Sequence, residues 1–317
     1  MSFLLDLLRQ GIQWVLVLAL APILIGVIRK VKARLLRRQG ASILQPWRDI
    51  IRLFRKEVII ADNASWIYRF APYIIFALTW VAASLVPTFA AGLIFSWSAD
   101  LIVIASLLGG ARFFLALAGM DIGTSFGGIG SSREVMFGSL AEPALIMIVF
   151  IVSLVAGSTQ LTEIASFMLS NTELRVSVGF ALIALVIVVI AENGRIPVDN
   201  PATHLELTMV HEAMILEYSG RHLAIIELAS ALKLLLYISI IACVFFPWGL
   251  APHDASLSEM GRGVFFYIMK LSLSGFLLAL FETSIAKMRV FVVPEFLGGA
   301  LILGLLGTLL VFATRSL

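Results

Sequence analysis

The sequence predicts an all-α, polytopic membrane protein of about eight transmembrane helices, with amphipathic helices on the cytoplasmic side. Three observations carry this. The 317-residue chain is 60% hydrophobic and only 14% charged, where soluble domains carry roughly 25% charged residues; its mean hydropathy is +1.02. The apolar residues gather into runs near the ~20 residues that cross a hydrocarbon core. Lys and Arg fall overwhelmingly on alternate connections, the pattern of the positive-inside rule. Residues 1–317 read as one integral membrane domain.

The first run, Phe3–Ile28, contains Ala19-Leu20-Ala21, which could suggest a cleaved leader. Pro22 follows directly, however, and the basic cluster comes after the run, so a retained helix with its N-terminus outside is expected. Seven further runs follow at Phe70–Leu93, Asp100–Ala118, Glu134–Gly157, Ser177–Glu192, Leu223–Phe246, Val264–Ser284 and Phe296–Ala313. Between the first two lie eleven Lys and Arg residues from Arg29 to Arg69. The connections after the third, fifth and seventh add Arg133, Arg195, Arg221, Lys287 and Arg289, and the other side holds only Arg9, Arg175, Arg262 and Arg315. This bias puts both termini outside and the loops at about 119–133 and 193–222 in the cytoplasm, and the expected location is the cell inner membrane, as a multi-pass protein.

Gln45–Glu57 is too polar to span. Ile50, Ile51, Leu53 and Phe54 recur at helical spacing against Arg48, Arg52, Arg55 and Lys56, which predicts an amphipathic helix in the cytoplasmic interface with Trp47 at headgroup depth. Trp47, Arg48, Arg52 and Arg55 are candidates for docking partner subunits, as are Arg133 and Glu134 in the glycine-rich stretch after the third run. That stretch, Gly119 to Glu134, reads as a tightly turning loop. It is not a phosphate loop, because no strand precedes it and no Gly-Lys-Ser/Thr closes it.

Charge inside the membrane costs roughly 2.5–3.5 kcal/mol per residue on insertion scales, yet the runs contain Arg112, Glu142, Glu192, Glu227, Lys233, Lys270 and Glu282. Each could be a structural ion pair or a residue reaching for the interface. Buried carboxyls that take up and release protons are the functional alternative. Glu142 precedes Pro143, which removes a backbone donor and can open a polar pocket beside the acid. Glu227 and Lys233, six residues apart, fall on different faces of one helix.

The densest charge lies in Ala191–His222, which holds Glu192, Arg195, Asp199, Glu206, Glu212, Glu217, Arg221, His204, His211 and His222 between two apolar runs. Arg195 is spaced to pair with Asp199 or Glu192, and Asn200-Pro201 suits a helix start. His211-Glu212 opens like a zinc-protease motif, but Ile215 stands where the second histidine must be. His204 and His211 are two turns apart, too far for a paired site, so no metal is expected. The one cysteine, Cys243, lies in an apolar run and cannot hold an iron–sulfur cluster alone.

The motif Glu192-x-x-Arg195-x-Pro197-x-Asp199, with Glu206 and Glu217-Tyr218-Ser219-Gly220, resembles subunit 1 (the H-type subunit) of respiratory complex I and its counterpart in energy-converting group 4 [NiFe]-hydrogenases. The longer segment through His222, and the stretch around Ser132-Arg133-Glu134, are most similar to the hydrogenase branch, of hydrogenase-4 and formate hydrogenlyase type. The resemblance implies a non-catalytic anchor and coupling subunit that links electron transfer in cytoplasmic partners to proton or sodium translocation. The relay it implies would draw on Glu142, Glu192, Asp199, Glu206, Glu212, Glu217, Glu227, Lys233 and Glu282, with Arg112, Arg195, Arg221, His204 and His211 in ion pairs and loops. Implied partners are hydrogenase-like large and small subunits, an Fe–S subunit, antiporter-like membrane subunits and the lipid bilayer, with no nucleic acid. Fe–S clusters and a [NiFe] centre would belong to those partners, and no cofactor to this chain. Val198, Ala202 and His204 depart from the complex I pattern, which puts a conventional quinone pocket in doubt. Rival readings are a quinone-reducing complex I subunit, a structural anchor and a stand-alone secondary transporter; the last has no evident inverted repeat to support it.

Overall fold

A computed structural model describes residues 2–170, 175–199, 210–252, 255–289 and 292–315. Its helices are α1 (Ser2–Leu35), α2 (Gln45–Phe54), α3 (Trp66–Leu85), α4 (Leu101–Asp121), α5 (Ser125–Ala156), α6 (Leu161–Ser170), α7 (Val176–Glu192), α8 (His211–Ile215), α9 (Gly220–Val244), α10 (Leu257–Ser284) and α11 (Val293–Arg315). Among the described residues there is no strand, only two isolated bridges, Ala90 with Ala251 and Asp100 with Gln160.

Seven helices (α1, α3, α4, α5, α9, α10 and α11) are long and apolar enough to cross a membrane. The remaining predicted span corresponds to α7, an apolar helix of 17 residues, about 26 Å at 1.5 Å per residue. The chain is therefore a multi-pass membrane protein. The eleven basic residues from Arg29 to Arg69, which run from the end of α1 to the start of α3, mark one side of the bundle, called the basic side below.

The helix at the centre is α9. Of its most apolar stretch, 72% is buried, against 28–39% in the other six long helices. From Leu234 to Tyr237 every residue is buried, because a helix apolar on all faces belongs inside. Around it, α1 pairs with α10 on one flank, while α3, α4, α5, α7 and α11 pack successively on the other. Short polar side chains start the helices: Ser65, Asp100 and Thr124 accept from Ile67, Ile102 and Gly127 backbone N–H groups.

The expected loop at 119–133 is a correction. α4 continues to Asp121 and α5 begins at Ser125, so most of that stretch is helix. Only Gly123, at φ +68°, serves a turn. The other glycines permit close approach: a Cβ on Gly127 would lie 2.2 Å from the Gly119 carbonyl oxygen, and one on Gly130 would lie 2.9 Å from that of Val210. The joint binds α4, α5 and α8 together.

The amphipathic helix forms as α2, with Pro46 in its first turn and Ile50 buried. Arg48, Arg52 and Arg55 are exposed, as are Ile51 and Phe54. Trp47, expected at headgroup depth and available to partners, instead donates its indole N–H to the Ala19 carbonyl at 3.0 Å. Ala19 is sixteen residues back from the end of α1, so α2 dips beside α1 and Trp47 is an internal tether.

On the opposite side of the bundle, Gln13 on α1 is fully buried, and its amide donates to the Ser84 and Val86 carbonyls at 2.8 and 2.7 Å. A buried amide so satisfied joins α1 to the end of α3.

A charged cluster inside the bundle

Arg112 on α4 stands at the centre of a charged cluster. Its Nε is 3.4 Å from Oε1 of Glu134, its Nη1 is 3.4 Å from Oε1 of Glu142, and its Nη2 contacts Oε1 of Glu192. Glu134 and Glu142 lie on α5, two turns apart; Glu192 ends α7. Lys233 on α9 reaches Glu192 twice, its Nζ lying 2.9 Å from Oε2 and donating to the backbone oxygen at 2.7 Å. His211, the first residue of α8, places Nδ1 3.3 Å from Oε2 of Glu134. Three carboxylates thus share a guanidinium, an amine and an imidazole.

Local sequence makes room for this. Gly138 stands where a Cβ would come within 2.6 Å of Arg112 Nη1. Gly194, at φ +53°, follows the end of α7, and a Cβ there would meet His211 Cδ2 at 2.6 Å. Arg112, Glu134 and Glu192 are buried. The cluster reaches the surface at two places. The His211 side chain is 26% exposed towards the basic side, and that of Glu142 is 53% exposed on the flank of α5.

Burial holds His211 below the usual imidazole range, although the Glu134 carboxylate opposes the shift. Its neutral form is therefore favoured in the fold, so the contribution to stability is full above the ordinary imidazole value and declines as pH falls below it.

Outward of the cluster, away from the basic side, α4, α5, α7 and α9 leave a crevice of about 20 Å³. Its lining includes Leu108, Leu145, Leu185, Ile240 and the ring of Tyr237, with no exposed polar surface.

A second group clasps the basic side. Glu282 on α10 is buried, with Oε2 3.0 Å from Lys32 Nζ and Oε1 3.4 Å from Arg195 Nη1. Arg195 therefore pairs with Glu282, not with the expected Asp199 or Glu192, because the turn after α7 packs against the end of α10. Burial weakens the hold of the Arg195 guanidinium on its proton and Glu282 counters this. Asp199 pairs with Lys287 at 2.9 Å and accepts from the Val210 N–H at 3.3 Å. The Met288 N–H donates to the Pro197 carbonyl at 2.8 Å. The turn is thus pinned from two directions.

The bundle brings together Arg112, Glu142, Glu192, Lys233 and His211 from the expected set. Glu134, expected at a docking surface, is a further correction: it is buried within the cluster because the helix begins nine residues before it. Arg133 is partly buried beside it. Glu282, Arg195 and Asp199 form the clasp. Glu212 is partly buried outside both groups, while Glu217 and Arg221 are exposed on the basic side. Glu227 is exposed on the flank of α9 that α1 and α2 approach, with Arg29 and Asp49 as electrostatic neighbours. Lys270 lies elsewhere, donating to the Phe246 carbonyl at 2.6 Å and standing 4.7 Å from the centre of the Trp248 ring. It caps the end of α9, where a cation is favoured. His204 and Glu206 lie outside the described residues.

Sequence reasoning counted Lys32 and Lys287 only among the basic residues that set orientation, and it did not find a group of aromatic residues near the basic side. There Tyr68 and Tyr218 stack at 4.0 Å, Tyr218 Oη donates to the Tyr68 carbonyl at 2.9 Å, and buried His222 meets Tyr73 and Tyr218 edge-on. Among the described residues no three His, Cys, Asp or Glu side chains gather as metal ligands would.

Residues 10–313 match the family model described as NADH dehydrogenase. The match takes in both charged groups and nearly the whole chain. The chain belongs to this family, whose members include the H-type subunit of complex I. Formate hydrogenlyase subunit 4 of Escherichia coli (strain K12) is 32% identical over 288 residues, which is 90% of this chain and 92% of that protein. Hydrogenase-4 component C of the same organism is also 32% identical, over 87% of each chain. NADH-quinone oxidoreductase subunit 8 of Rhodothermus marinus is more distant in the family, at 26% identity over 75% of this chain and 72% of its own. The fold is also that of a chain in the membrane-bound sulfane sulfur reductase, an archaeal respiratory membrane complex. The TM-score is 0.81 at 22% identity, covering 96% of this chain and 99% of the other.

Proposed function

We propose that this chain is the membrane anchor and coupling subunit of a complex I-like or energy-converting hydrogenase complex, linking electron transfer in cytoplasmic partners to ion translocation. The observation that carries the reading is the charged cluster: six ionisable side chains gathered among α4, α5, α7, α8 and α9, opening at His211 on one side and at Glu142 on the flank. The similarity to formate hydrogenlyase subunit 4 and hydrogenase-4 component C supports the hydrogenase branch. In this reading the chain lies in the inner membrane with both termini outside and the basic side in the cytoplasm. There, α2 and the turn after α7 meet hydrogenase-like large and small subunits and an Fe–S subunit. Any Fe–S cluster or [NiFe] centre is theirs.

Within the chain, His211 Nδ1 and Glu134 Oε2 exchange a proton at the cytoplasmic mouth. Arg112 and Lys233 hold the carboxylates in register. Glu142 is the exit towards an antiporter-like membrane subunit. A stand-alone transporter is less well supported, because the apolar crevice beyond the cluster offers no polar route onward. A quinone-reducing subunit remains the alternative within the family, weakened by Val198 at the position of the usual phenylalanine.

The test replaces Glu134, Glu142 and Glu192 singly with Gln, which keeps shape and removes the titratable proton. Proteoliposomes of the whole complex should then lose proton uptake while electron transfer in the same preparation continues. Wild-type uptake in all three variants would leave only the structural anchor.

A further inference from the structure

The relay reading directs Glu142 towards a membrane partner without saying how that partner meets it. We propose that the outward face of α4 and α5 around Glu142 is a docking surface for a transmembrane helix of a partner subunit, and that this helix presents a lysine or arginine to the carboxylate. The inference requires only that the chain spans a membrane, and not that protons move through it.

Depth is the first argument. Glu142 is the eighteenth of the 32 residues of α5, and it lies beside Gly109, the ninth of the 21 residues of α4, whose Cβ would be 3.5 Å from Oε1. Both positions fall near the middle of their helices, where an ionised carboxylate facing lipid is strongly unfavourable. Yet the side chain is 53% exposed.

Charge is the second. The only cation paired with Glu142 among the described residues is Arg112, through Nη1 at 3.4 Å, and the same guanidinium also meets Glu134 and Glu192. Lys233 is committed to Glu192. Three carboxylates against one guanidinium and one amine leave an excess of negative charge, and its exposed end is Glu142. A cation on the facing helix balances it.

Shape is the third. Beside Glu142 the face carries Gly109, Ser106 and Ser139, and both hydroxyls are already bonded to their own helices, at the Ile102 and Met136 carbonyls. Small residues whose polar groups are satisfied let a helix backbone approach closely. Phe113 and Ile146, 61% exposed each, flank the small positions as apolar contacts. A second copy of this chain does not fit, since a two-fold contact on this face would bring the two Glu142 carboxylates together.

The test uses the whole complex in its native membrane. Ser139→Cys or Ile146→Cys is introduced in a Cys243→Ala background, labelled with a benzophenone maleimide and photolysed. The expected adduct is with a transmembrane helix of another subunit carrying Lys or Arg within one turn of the attachment site. Glu142→Lys should reduce retention of that subunit roughly tenfold or more, and changing the partner's cation to Glu should restore it. Adducts with lipid alone, an adduct with a helix lacking a cation, or undiminished retention in Glu142→Lys would each overturn the proposal. If Glu142→Lys prevents insertion, Glu142→Gln substitutes, and here too unchanged retention overturns it. Retention and cross-linking are the readouts, so failure of the relay leaves their result standing.

Discussion

Arg112 holds three carboxylates on one guanidinium, and that crowding fixes what its neighbours can be. A methyl group at position 138 would sit 2.6 Å from Nη1, whereas Gly128 on the same helix has nothing within 4 Å. Gly138→Ala should therefore displace the guanidinium and destabilise the complex by about 1–3 kcal/mol, the usual range for overpacking. Gly128→Ala should be neutral or slightly stabilising in thermal unfolding. Equal effects of the two would show that Arg112 is not confined. At this scale the sequence was legible through cost: Arg112, Glu142, Glu192 and Lys233 stood out as charges in apolar runs. Glu134 did not, since a glycine-rich neighbourhood reads as loop, although its spacing of four from Gly138 is one helical turn. The partner of Arg195 is 87 residues away, and no local spacing announces Glu282.

Among the elements, each of the eight apolar runs corresponds to a helix, because span length is set by the bilayer and is readable residue by residue. Asp100 caps α4 where its apolar run begins, but other boundaries moved: with Thr124 as cap, α5 starts nine residues ahead of its run, and α3 stops at Leu85 although the apolar run continues. The amphipathic period revealed α2, but not that Trp47 would bond to the middle of another helix. The two roles of α2 can be separated. Arg52→Glu with Arg55→Glu changes only its exposed face and should loosen cytoplasmic partners in salt-dependent copurification while all spans remain inserted. Trp47→Phe loses the bond to the Ala19 carbonyl and should expose the α2 segment to proteolysis with partners still bound at low salt. Full retention of every partner by the double reversal at raised salt would count against docking there.

Across the whole molecule, α9 and the clasp at Glu282 tie sequence-distant helices into one body. Glu282→Ala would leave Lys32 and Arg195 without their shared carboxylate. Removing one member of a buried pair costs up to about 3–5 kcal/mol, and less here because Lys32 reaches solvent. The expected outcome is a lowered unfolding temperature and freer hydrogen exchange at 193–199, and an unchanged protection pattern would contradict the clasp. The crevice outward of Arg112 has a different significance. A space lined by leucine, isoleucine and an aromatic ring stays dry, and a dry gap conducts neither protons nor sodium. Along this path the chain is an insulator, so its presence in a membrane ahead of any partner would not short-circuit the voltage across it.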